Sequence, residues 1–460
     1  MSLFAKQKFY LVGIKGVAMT SIAQCLLDAG KEVSGSDLAE DFVTEPILKK
    51  IAIKIEDITT IPDFNNQKID AVIYTAAHQG IDNPQVQEAL RLGLPVYSQA
   101  EALAEFFNQQ AGLAVCGVGG KSTVSAMITF VLERLAPAKL SYSVGVGEII
   151  GMAKTGQWQA QGEYFVAEAD EYVVDPHAKA KGQVIQPRFS FLKPFLTVCT
   201  NLKYDHPDVY EDFTATKAAF AQFFKQIKNN GFLIINGDNP DLVELSQNIS
   251  RPDISIITFG EGEHCQFKLS DYNFKLQVPG KFNLLNALAA LASLKQLGFV
   301  EKEIIGALAD FRSTKRRFEL VKKDEQTWHF DDYAHHPSEV LAVIDTLNEN
   351  FPNGKKLIAF QPHTFSRTRQ LFDEFVEALA NHSKNTDEIL LIDIFPSARE
   401  AFDSEMNCDK LVAAVKAKYP NCQIQNLHTI PALAKYVQET PHQVFITIGA
   451  GDIYQAHELL

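Results

Sequence analysis

A glycine-rich segment at residues 117–123, Gly-Val-Gly-Gly-Lys-Ser-Thr, has the residue types of a phosphate-binding loop. It follows an apolar run typical of a buried strand and precedes a pattern typical of a helix at 124–132. Glycines allow backbone N–H groups to point at phosphate oxygens, and the N-terminus of the next helix favours negative charge. Lys121 would then bind the β- and γ-phosphates, and the Ser122 hydroxyl would ligate Mg²⁺.

The full Walker pattern has a further glycine at position 115 or 116, so this loop is a shortened version. The alternative is a strand-to-helix turn that carries an exposed lysine. We interpret the segment as a site for ATP or GTP. The residues expected to contribute are Gly117, Gly119, Gly120, Lys121, Ser122 and Thr123.

A second glycine turn lies near the N-terminus, where Gly13 and Gly16 follow an apolar strand pattern. Asp37 ends the next predicted strand about 20 residues later, which is the layout of a nucleotide-binding βαβ unit. Lys15 and Ala18 stand where the dinucleotide pattern has glycine. A nucleotide diphosphate other than NAD would tolerate these changes, and a plain βαβ turn is the alternative.

Acidic and histidine side chains follow two predicted strands of the central segment. Glu168, Asp170 and Glu171 come after one strand, and Asp205 and His206 come after the next. Because such groups at adjacent strand ends suit Mg²⁺ and bound water, we predict a metal site near the phosphate loop.

Further polar groups follow strands late in the chain. Asp332, His335 and His336 come after one predicted strand, and Arg367 comes shortly after another. The two histidines are too close in sequence to form a helical metal pair, so contacts with a substrate are the better interpretation. Arg367 has the geometry to clamp a carboxylate, although a surface arginine is an equal alternative.

The elements that must position these residues alternate between short β-branched or aromatic runs and longer helical patterns, which predicts an α/β protein with mainly parallel sheets. New series of strands begin near residues 9, 113 and 328. The chain becomes polar near 108–110 and 313–315, so we predict domains at 1–107, 108–314 and 315–460.

The 460 residues carry a formal net charge of −13, which argues against binding nucleic acid through bulk charge. The six cysteines are scattered and suggest neither disulfides nor a zinc site, which favours a reducing cytoplasm. No apolar run approaches the roughly 20 residues of a membrane-spanning helix, and no signal-peptide pattern opens the chain. We therefore expect a cytoplasmic protein without membrane or nucleic-acid partners.

In their order along the chain, these motifs resemble the Mur ligase family, and the resemblance covers essentially the whole sequence. The matching pieces are the phosphate loop, Glu-Ala-Asp-Glu at 168–171, Thr-Asn at 200–201 with Asp-His at 205–206, Asn-Leu-Leu-Asn-Ala at 283–287, Arg-Arg-Phe at 316–318 and Asp-Tyr-Ala-His-His-Pro at 332–337. Within the family, residues 13–19, 34–37, 82–84, 360–368 and 449–452 are most similar to the member that joins L-alanine to UDP-N-acetylmuramate.

This resemblance implies an ATP-dependent acid–amino-acid ligase of peptidoglycan precursor synthesis that forms an acyl phosphate. It implies a Rossmann-like N-terminal domain for the UDP-sugar, a central ATPase domain, and a Rossmann-like C-terminal domain for the amino acid. ATP and Mg²⁺ are the implied cofactors, UDP-N-acetylmuramate and L-alanine the implied substrates, and a monomer or homodimer the implied state.

The resemblance also implies residue roles. Lys121, His206, His335 and Arg367 would be catalytic, and Ser122, Glu168 and His206 would bind metal. Besides the phosphate loop, ATP would contact Asn283, Asn286, Arg316, Arg317 and Asp332. The UDP-sugar would contact Gly13, Lys15, Gly16, Met19, Asp37, Thr75 and Asn201, and the amino acid would contact His335, His336 and Arg367.

Several positions depart from the family pattern, among them Val118 and Gly119 in the loop and a partly basic insertion at 177–188. Three alternatives therefore stay open. The first is the related ligase that recycles a murein tripeptide, and the second is a non-catalytic nucleotide-binding protein. The third, a nicotinamide-dependent dehydrogenase, would explain the N-terminal turn but not the phosphate loop.

Overall fold

The strands of the computed structural model form three separate sheets, each surrounded by helices. The structure describes residues 2–40, 42–178, 181–324, 327–380, 387–396 and 402–460. Within these ranges the sheets are parallel except for one antiparallel pair in each of the second and third. This confirms the predicted fold class.

The first sheet has the order β3-β2-β1-β4-β5 and is entirely parallel. Its strands are β1 (Lys8–Val12), β2 (Glu32–Asp37), β3 (Lys54–Asp57), β4 (Ala71–Tyr74) and β5 (Val96–Ser98). The helices between and after them are α1 (Val17–Asp28), α2 (Glu45–Lys50), α3 (Phe64–Gln67), α4 (Pro84–Arg91) and α5 (Gln99–Phe107). The central strands are buried along most of their length, as expected for a parallel sheet covered on both faces.

The second sheet has the order β13-β12-β11-β10-β6-β9-β7-β8. Its strands are β6 (Ala111–Cys116), β7 (Leu140–Ser143), β8 (Gly156–Gln157), β9 (Tyr164–Glu168), β10 (Leu196–Cys199), β11 (Phe232–Asn236), β12 (Ser255–Gly260) and β13 (Phe267–Lys268). Its helices are α6 (Lys121–Leu135), α7 (Phe213–Phe224), α8 (Pro240–Asn248), α9 (Lys281–Gln296) and α10 (Glu301–Leu308). Because β6 lies between β9 and β10, the loops that leave these three strands meet at one edge of the sheet.

The third sheet has the order β14-β15-β19-β16-β17-β18. Its strands are β14 (Glu319–Lys323), β15 (Trp328–Asp332), β16 (Lys356–Phe360), β17 (Glu388–Leu391), β18 (Gln423–Asn426) and β19 (Val444–Ile448). Its helices are α11 (Pro337–Asn350), α12 (Phe365–Gln370), α13 (Phe372–Ala380), α14 (Cys408–Lys418) and α15 (Ile430–Glu439). Short 3-10 helices lie at Leu3–Ala5, Gly80–Asp82, Pro137–Lys139, Arg188–Phe191, Leu269–Asp271 and Ile453–Leu459.

The chain divides into two compact units. The first contains the first two sheets and comprises Met1–Tyr204, Val209–Gln277 and Leu284–Thr314. The second contains the third sheet and comprises Asp205–Asp208, Val278–Asn283 and Lys315–Leu460. The short segment 205–208 therefore belongs with the C-terminal sheet, although its neighbours in sequence do not.

Candidate active site

The phosphate loop connects β6 to α6 and depends on glycine for both conformation and space. Gly117, Gly119 and Gly120 have φ angles of 118°, 93° and 81°, a region that side chains other than glycine rarely adopt. A Cβ atom on Gly117 would also lie 2.4 Å from the Thr200 Oγ1 atom. Thr200 in turn donates a 2.6 Å hydrogen bond to the Gly119 carbonyl and holds the loop closed.

Lys121 begins α6, and its ammonium group is bound by a carboxylate at the end of β9. The Nζ atom donates to both oxygens of Glu171 at 2.7 Å and lies 4.0 Å from Asp170. Burial opposes the charge of the ammonium group, but these carboxylates outweigh it, so the pKa of Lys121 is raised. Lys121 is therefore a permanent cation at the base of the loop.

Ser122 and Glu168, the two metal ligands predicted in this unit, lie side by side. The Ser122 hydroxyl donates to Glu168 Oε2 at 2.9 Å, and the Gly145 N–H donates to Oε1 at 2.8 Å. These hydrogen bonds hold the carboxylate against the start of α6. Hydroxyl and carboxylate oxygens are hard ligands of the kind that Mg²⁺ prefers.

Two asparagines lie close to the loop. A Cβ atom on Gly120 would lie 2.9 Å from the Asn286 Oδ1 atom, so Asn286 of α9 approaches the backbone of the loop. The Asn201 Oδ1 atom is buried and has no hydrogen-bond partner among the described residues. A buried polar atom of this kind is a candidate contact for a ligand.

In the N-terminal domain, the turn after β1 packs against Asp37 at the end of β2. The Lys15 N–H donates to Asp37 Oδ2 at 2.7 Å, and the His78 Nε2 atom lies 3.4 Å from Oδ1. Gly13 has a φ of 80°, and its Cβ would lie 2.4 Å from the Thr75 Cγ2 atom. Gly13, Asp37 and Thr75 therefore lie around one turn.

The side chains of Lys15 and Met19 have other partners in this structure. The Lys15 Nζ atom lies 2.6 Å from Glu45 and donates to the Glu40 carbonyl at 2.7 Å. Met19 is buried in the core beneath the turn. Gly16 is the residue before α1, and its N–H donates to the Gly13 carbonyl at 3.3 Å.

The insertion at 177–188 contacts the N-terminal domain and the acidic group near the loop. Its residues 179–180 lie outside the described part of the chain. Lys181 lies 2.6 Å from Asp82 and 2.9 Å from Asp175, and Arg188 donates to Asp170 Oδ2 at 2.8 Å. Arg188 therefore binds one of the two carboxylates that face Lys121.

In the second unit, Arg367 on α12 forms a buried ion pair with Asp205. Its Nε atom donates to Asp205 Oδ1 at 3.1 Å, while Nη1 lies 3.4 Å from the His363 Nδ1 atom. Among the described residues, no hydrogen bond uses Nη2. Burial alone would raise the pKa of Asp205, but the charges of His206 and Arg367 hold that pKa well below its usual value.

His206, the third predicted metal ligand, lies beside the same carboxylate. Its Nε2 atom is 3.6 Å from Asp205 Oδ2, and its backbone φ is 58°. His206 therefore belongs to the unit of the C-terminal sheet, whereas Ser122 and Glu168 belong to the other unit.

The paired histidines follow β15 and are positioned by Glu339 on α11. Glu339 Oε2 accepts the backbone N–H groups of His335 and His336 at 3.1 and 3.3 Å, which forms a capping box. The His335 Nδ1 atom lies 3.0 Å from the Tyr333 carbonyl. Because a carbonyl only accepts, Nδ1 carries the proton and Nε2 keeps a lone pair. Burial lowers the pKa of His335 to about 4, so the ring is neutral at pH 7.

Arg316 and Asp332 are bound to their own domain. All three guanidinium nitrogens of Arg316 donate: Nε to Asp331, Nη1 to the Gly451 carbonyl and Nη2 to the Gly449 carbonyl. Asp332 accepts the N–H groups of Phe318 and Ala334, each at 2.7 Å. Burial raises the pKa of Asp332 to about 6.

The remaining predicted ATP contacts are Arg317, Asn283 and Thr123. The Arg317 guanidinium lies 5.1 Å from the centre of the Tyr333 ring. Asn283 lies three residues before Asn286 on α9 and donates to the Pro279 carbonyl at 2.7 Å. Thr123 is buried in the first turn of α6.

Three family models match successive parts of the chain: the Mur ligase family catalytic domain over residues 8–111, the Mur ligase middle domain over 115–294, and the Mur ligase glutamate ligase domain over 316–451. The UDP-N-acetylmuramate–L-alanine ligase of Clostridium tetani is 32% identical over 98% of this chain and 97% of the relative. The chain belongs to the Mur ligase family.

Solved structures agree with the fold of this Mur ligase. A crystal structure of the UDP-N-acetylmuramate–alanine ligase of Thermotoga maritima matches with a TM-score of 0.75 at 25% identity, covering 98% of both chains. A murein peptide ligase of Psychrobacter arcticus matches with a TM-score of 0.69 at 20% identity, over 98% of this chain and 97% of the other. The three-domain α/β architecture expected from the sequence is therefore confirmed.

The structure of this Mur ligase gives Glu171 and Asp205, two acids of the predicted metal site, cationic partners, and it adds Glu339 and His78, which the sequence analysis did not name. Glu171, Asp205 and Glu339 contact Lys121, Arg367 and the paired histidines, respectively. Glu339 had a sequence signal, because a glutamate three residues after His336 and a proline between them are typical of a helix N-terminus. No sequence pattern predicted His78, because only the folded chain brings it to Asp37. Among the described residues, no helix is both long and apolar enough to cross a membrane.

Proposed function

We propose that this Mur ligase uses ATP to join L-alanine to the carboxylate of UDP-N-acetylmuramate in peptidoglycan precursor synthesis. The observation that carries the proposal is the phosphate loop with Lys121 and with Ser122 bound to Glu168, in a chain whose full-length relative has this activity by name. The free cysteines are consistent with a reaction in the reducing cytoplasm.

Forming an amide from a carboxylate requires a better leaving group than oxide. The substrate carboxylate attacks the γ-phosphorus of ATP, the bond to the β,γ-bridging oxygen breaks, and ADP leaves. The amine then attacks the carbonyl carbon of the acyl phosphate, loses a proton, and inorganic phosphate leaves. The protein must therefore bring two anions together and later remove a proton from the amine.

The first task falls to the loop and the start of α6. Backbone N–H groups of the loop and the helix N-terminus bind the phosphate oxygens. Lys121 is charged but bound to Glu171 in the free protein, so phosphate oxygens compete with that carboxylate for its N–H donors. The in-line transition state carries charge on the transferred group, and Lys121 stabilises that charge.

Ser122 and Glu168 are the residues that would hold Mg²⁺. Their oxygens are adjacent and of the hard type that the ion prefers. When bound, the ion supplies positive charge beside the β- and γ-phosphates. We propose His206 as a further ligand on its resemblance to the family motif alone.

Arg367 and His335 would hold the amino acid for attack. The Nη2 donors of Arg367 are oriented by the ion pair with Asp205 and suit the carboxylate of an amino acid. His335 keeps its Nε2 lone pair, so it can accept a hydrogen bond from the amino group of L-alanine and orient that group.

We propose that the UDP-sugar binds at the turn after β1. The backbone N–H groups of the first turn of α1 would contact the diphosphate, with Gly13, Asp37 and Thr75 nearby. Because the Lys15 ammonium group pairs with Glu45, these N–H groups, rather than Lys15, are the expected diphosphate donors.

The test is phosphate release from ATP and Mg²⁺ with UDP-N-acetylmuramate, adding L-alanine, L-serine, glycine or L-Ala-γ-D-Glu-meso-diaminopimelate in turn, with the product confirmed by mass. We expect L-alanine to give the greatest stimulation. Stimulation by the tripeptide alone would assign the chain to murein recycling instead. ATP binding without release for any acceptor would refute the ligase activity.

A further inference from the structure

Three side chains with metal-binding atoms lie together in the central domain, outside the residues discussed above. Asp238 follows β11, and His264 and Cys265 lie in the loop between β12 and β13. One ligand atom from each residue lies within 4.8 Å of the others. Carboxylate, imidazole and thiol groups together form a ligand set for a borderline or soft divalent cation.

Asp238 is held in place by the loop that carries the other two residues. Its Oδ2 atom accepts the Glu261 N–H at 2.6 Å, and its Oδ1 atom accepts the Gly262 N–H at 2.9 Å. A carboxylate has about four lone-pair positions, so the Oδ2 atom keeps one after these bonds. Asp238 therefore anchors the loop and still offers a ligand atom.

The ring of His264 is oriented as a metal ligand requires. Its Nε2 atom lies 2.8 Å from the Gly237 carbonyl, which only accepts, so Nε2 carries the proton. The Nδ1 atom then keeps its lone pair. Metal-binding histidines usually show this pattern, in which one nitrogen donates to a carbonyl and the other binds the ion.

Cys265 provides the third ligand from the buried side. Its side chain is buried, and its Sγ atom lies 3.9 Å from Asp238 Oδ1. An ion would bind the thiolate and release the proton to solvent.

Three glycines lie so close to these groups that a Cβ atom on any of them would clash with one of the three side chains. A Cβ atom on Gly237 would lie 2.7 Å from Cys265 Sγ, and one on Gly260 would lie 2.4 Å from Asp238 Oδ2. A Cβ atom on Gly262 would lie 2.3 Å from His264 Cε1. None of the three has a positive φ, so the backbone conformation does not require glycine here. Glycine is required because the three ligand side chains approach the backbone too closely to leave room for a Cβ atom.

We propose that Asp238, His264 and Cys265 bind a zinc-class divalent cation, with one position left to water. The ion fastens loop 261–266 to the end of β11. Asp238 and His264 are exposed, which gives the ion a path from solvent. Thiolate and imidazole ligands distinguish this site from the oxygen ligands Ser122 and Glu168.

The experiment uses the full chain, stripped of metal, in excess Mg²⁺ and without ATP, so that the oxygen site is saturated and no nucleotide chelates the added ion. Co²⁺ is titrated as a spectroscopic probe and Zn²⁺ in competition with it. We expect one equivalent of Co²⁺ to give a thiolate-to-cobalt charge-transfer band, which Zn²⁺ abolishes. Absence of that band would overturn the proposal.

Variants identify the ligands. Cys265→Ser should remove the band and weaken Zn²⁺ binding by more than about tenfold, since losing even an outer partner of a metal ligand costs 10–100-fold. Cys422→Ser, which changes the partly exposed thiol of the C-terminal domain, should leave both unchanged. A band that survives Cys265→Ser, or disappears in Cys422→Ser, would overturn the assignment.

A second variant protects the test against misfolding of the buried thiol. His264→Asn changes an exposed side chain, so the fold should persist, while Zn²⁺ affinity again falls by more than about tenfold. Zn²⁺ should also raise the Tm of the wild-type chain but not that of His264→Asn, because an ion that binds only the folded state stabilises it. Equal Zn²⁺ affinity in both proteins would refute the role of the imidazole.

Discussion

The ion pair between Lys121 and Glu171 allows stability and catalysis to be separated by mutation. The side chains of Lys121 and Glu171 are 18% and 2% exposed, and the ammonium group contacts both carboxylate oxygens at 2.7 Å. Removing one partner of a buried pair costs about 3–5 kcal/mol, because the other charge stays buried without compensation. Water reaches Lys121 in part, so we expect Lys121→Ala to lower the free energy of unfolding by about 3 kcal/mol.

The double variant Lys121→Ala/Glu171→Gln should regain most of that stability, because the side chain that loses the Lys121 cation is then neutral. It should not regain turnover, since the loss of the cation at the phosphates alone is expected to slow phosphate release by at least about 100-fold. Binding of UDP-N-acetylmuramate to the N-terminal domain should remain in both variants.

Urea unfolding followed by Trp158 fluorescence measures the stability of the unit that contains the loop. The chain has only two tryptophans, so a Trp328→Phe background makes Trp158 the sole emitter. The matched control is Lys139→Ala, which breaks a pair of equal length, 2.7 Å, whose side chains are 56% and 49% exposed. That change should cost less than about 1 kcal/mol. The reasoning is refuted if Lys121→Ala costs no more than the control, or if the double variant is as unstable as the single one.

Three further predictions concern the amino-acid site, the phosphate loop and pH. Arg367→Lys loses the planar fork of the guanidinium, so the KM for L-alanine should rise by at least about tenfold while ATP affinity stays constant; unchanged KM values for both substrates would contradict the clamp. Gly117→Ala should abolish ATP binding in a calorimetric titration, because its Cβ would lie 2.4 Å from Thr200 Oγ1, whereas Gly306→Ala, with no atom within 4 Å of the added Cβ, should bind ATP normally. Burial lowers the pKa of His457 to about 4, so as pH falls the unfolded chain binds this proton before the folded chain does. The free energy of unfolding is therefore undiminished above about pH 6.5 and falls between about 6.5 and 4. In urea titrations across that range, the free energy of unfolding of His457→Gln should fall by about 2–3 kcal/mol less than that of the wild type. An equal fall in both proteins would contradict the lowered pKa.

The phosphate loop, its strand and its helix could all be predicted from the sequence, because the physics that forms them is local. Glycines with positive φ, a buried apolar run and a helical apolar pattern each act within a few residues. The predicted strand at 113–116 and the helix after it are observed as β6 and α6. The order of motifs along the chain was enough for the family, and the alternation of elements was enough for the fold class.

The partners of the functional side chains depended on the tertiary structure. Glu171 is 50 residues from Lys121, and they meet because β6 and β9 are neighbours in one sheet. Asp205 is 162 residues from Arg367 in the sequence. The resemblance implied Lys15 as a UDP-sugar contact, and only the fold shows that its ammonium group pairs with Glu45. Likewise, scattered cysteines suggested no metal site, yet the fold places Cys265 beside Asp238 and His264. Residue types and local spacing determine which elements form and which chemistry is available; the packing of distant segments decides which charges meet, and burial then sets their protonation.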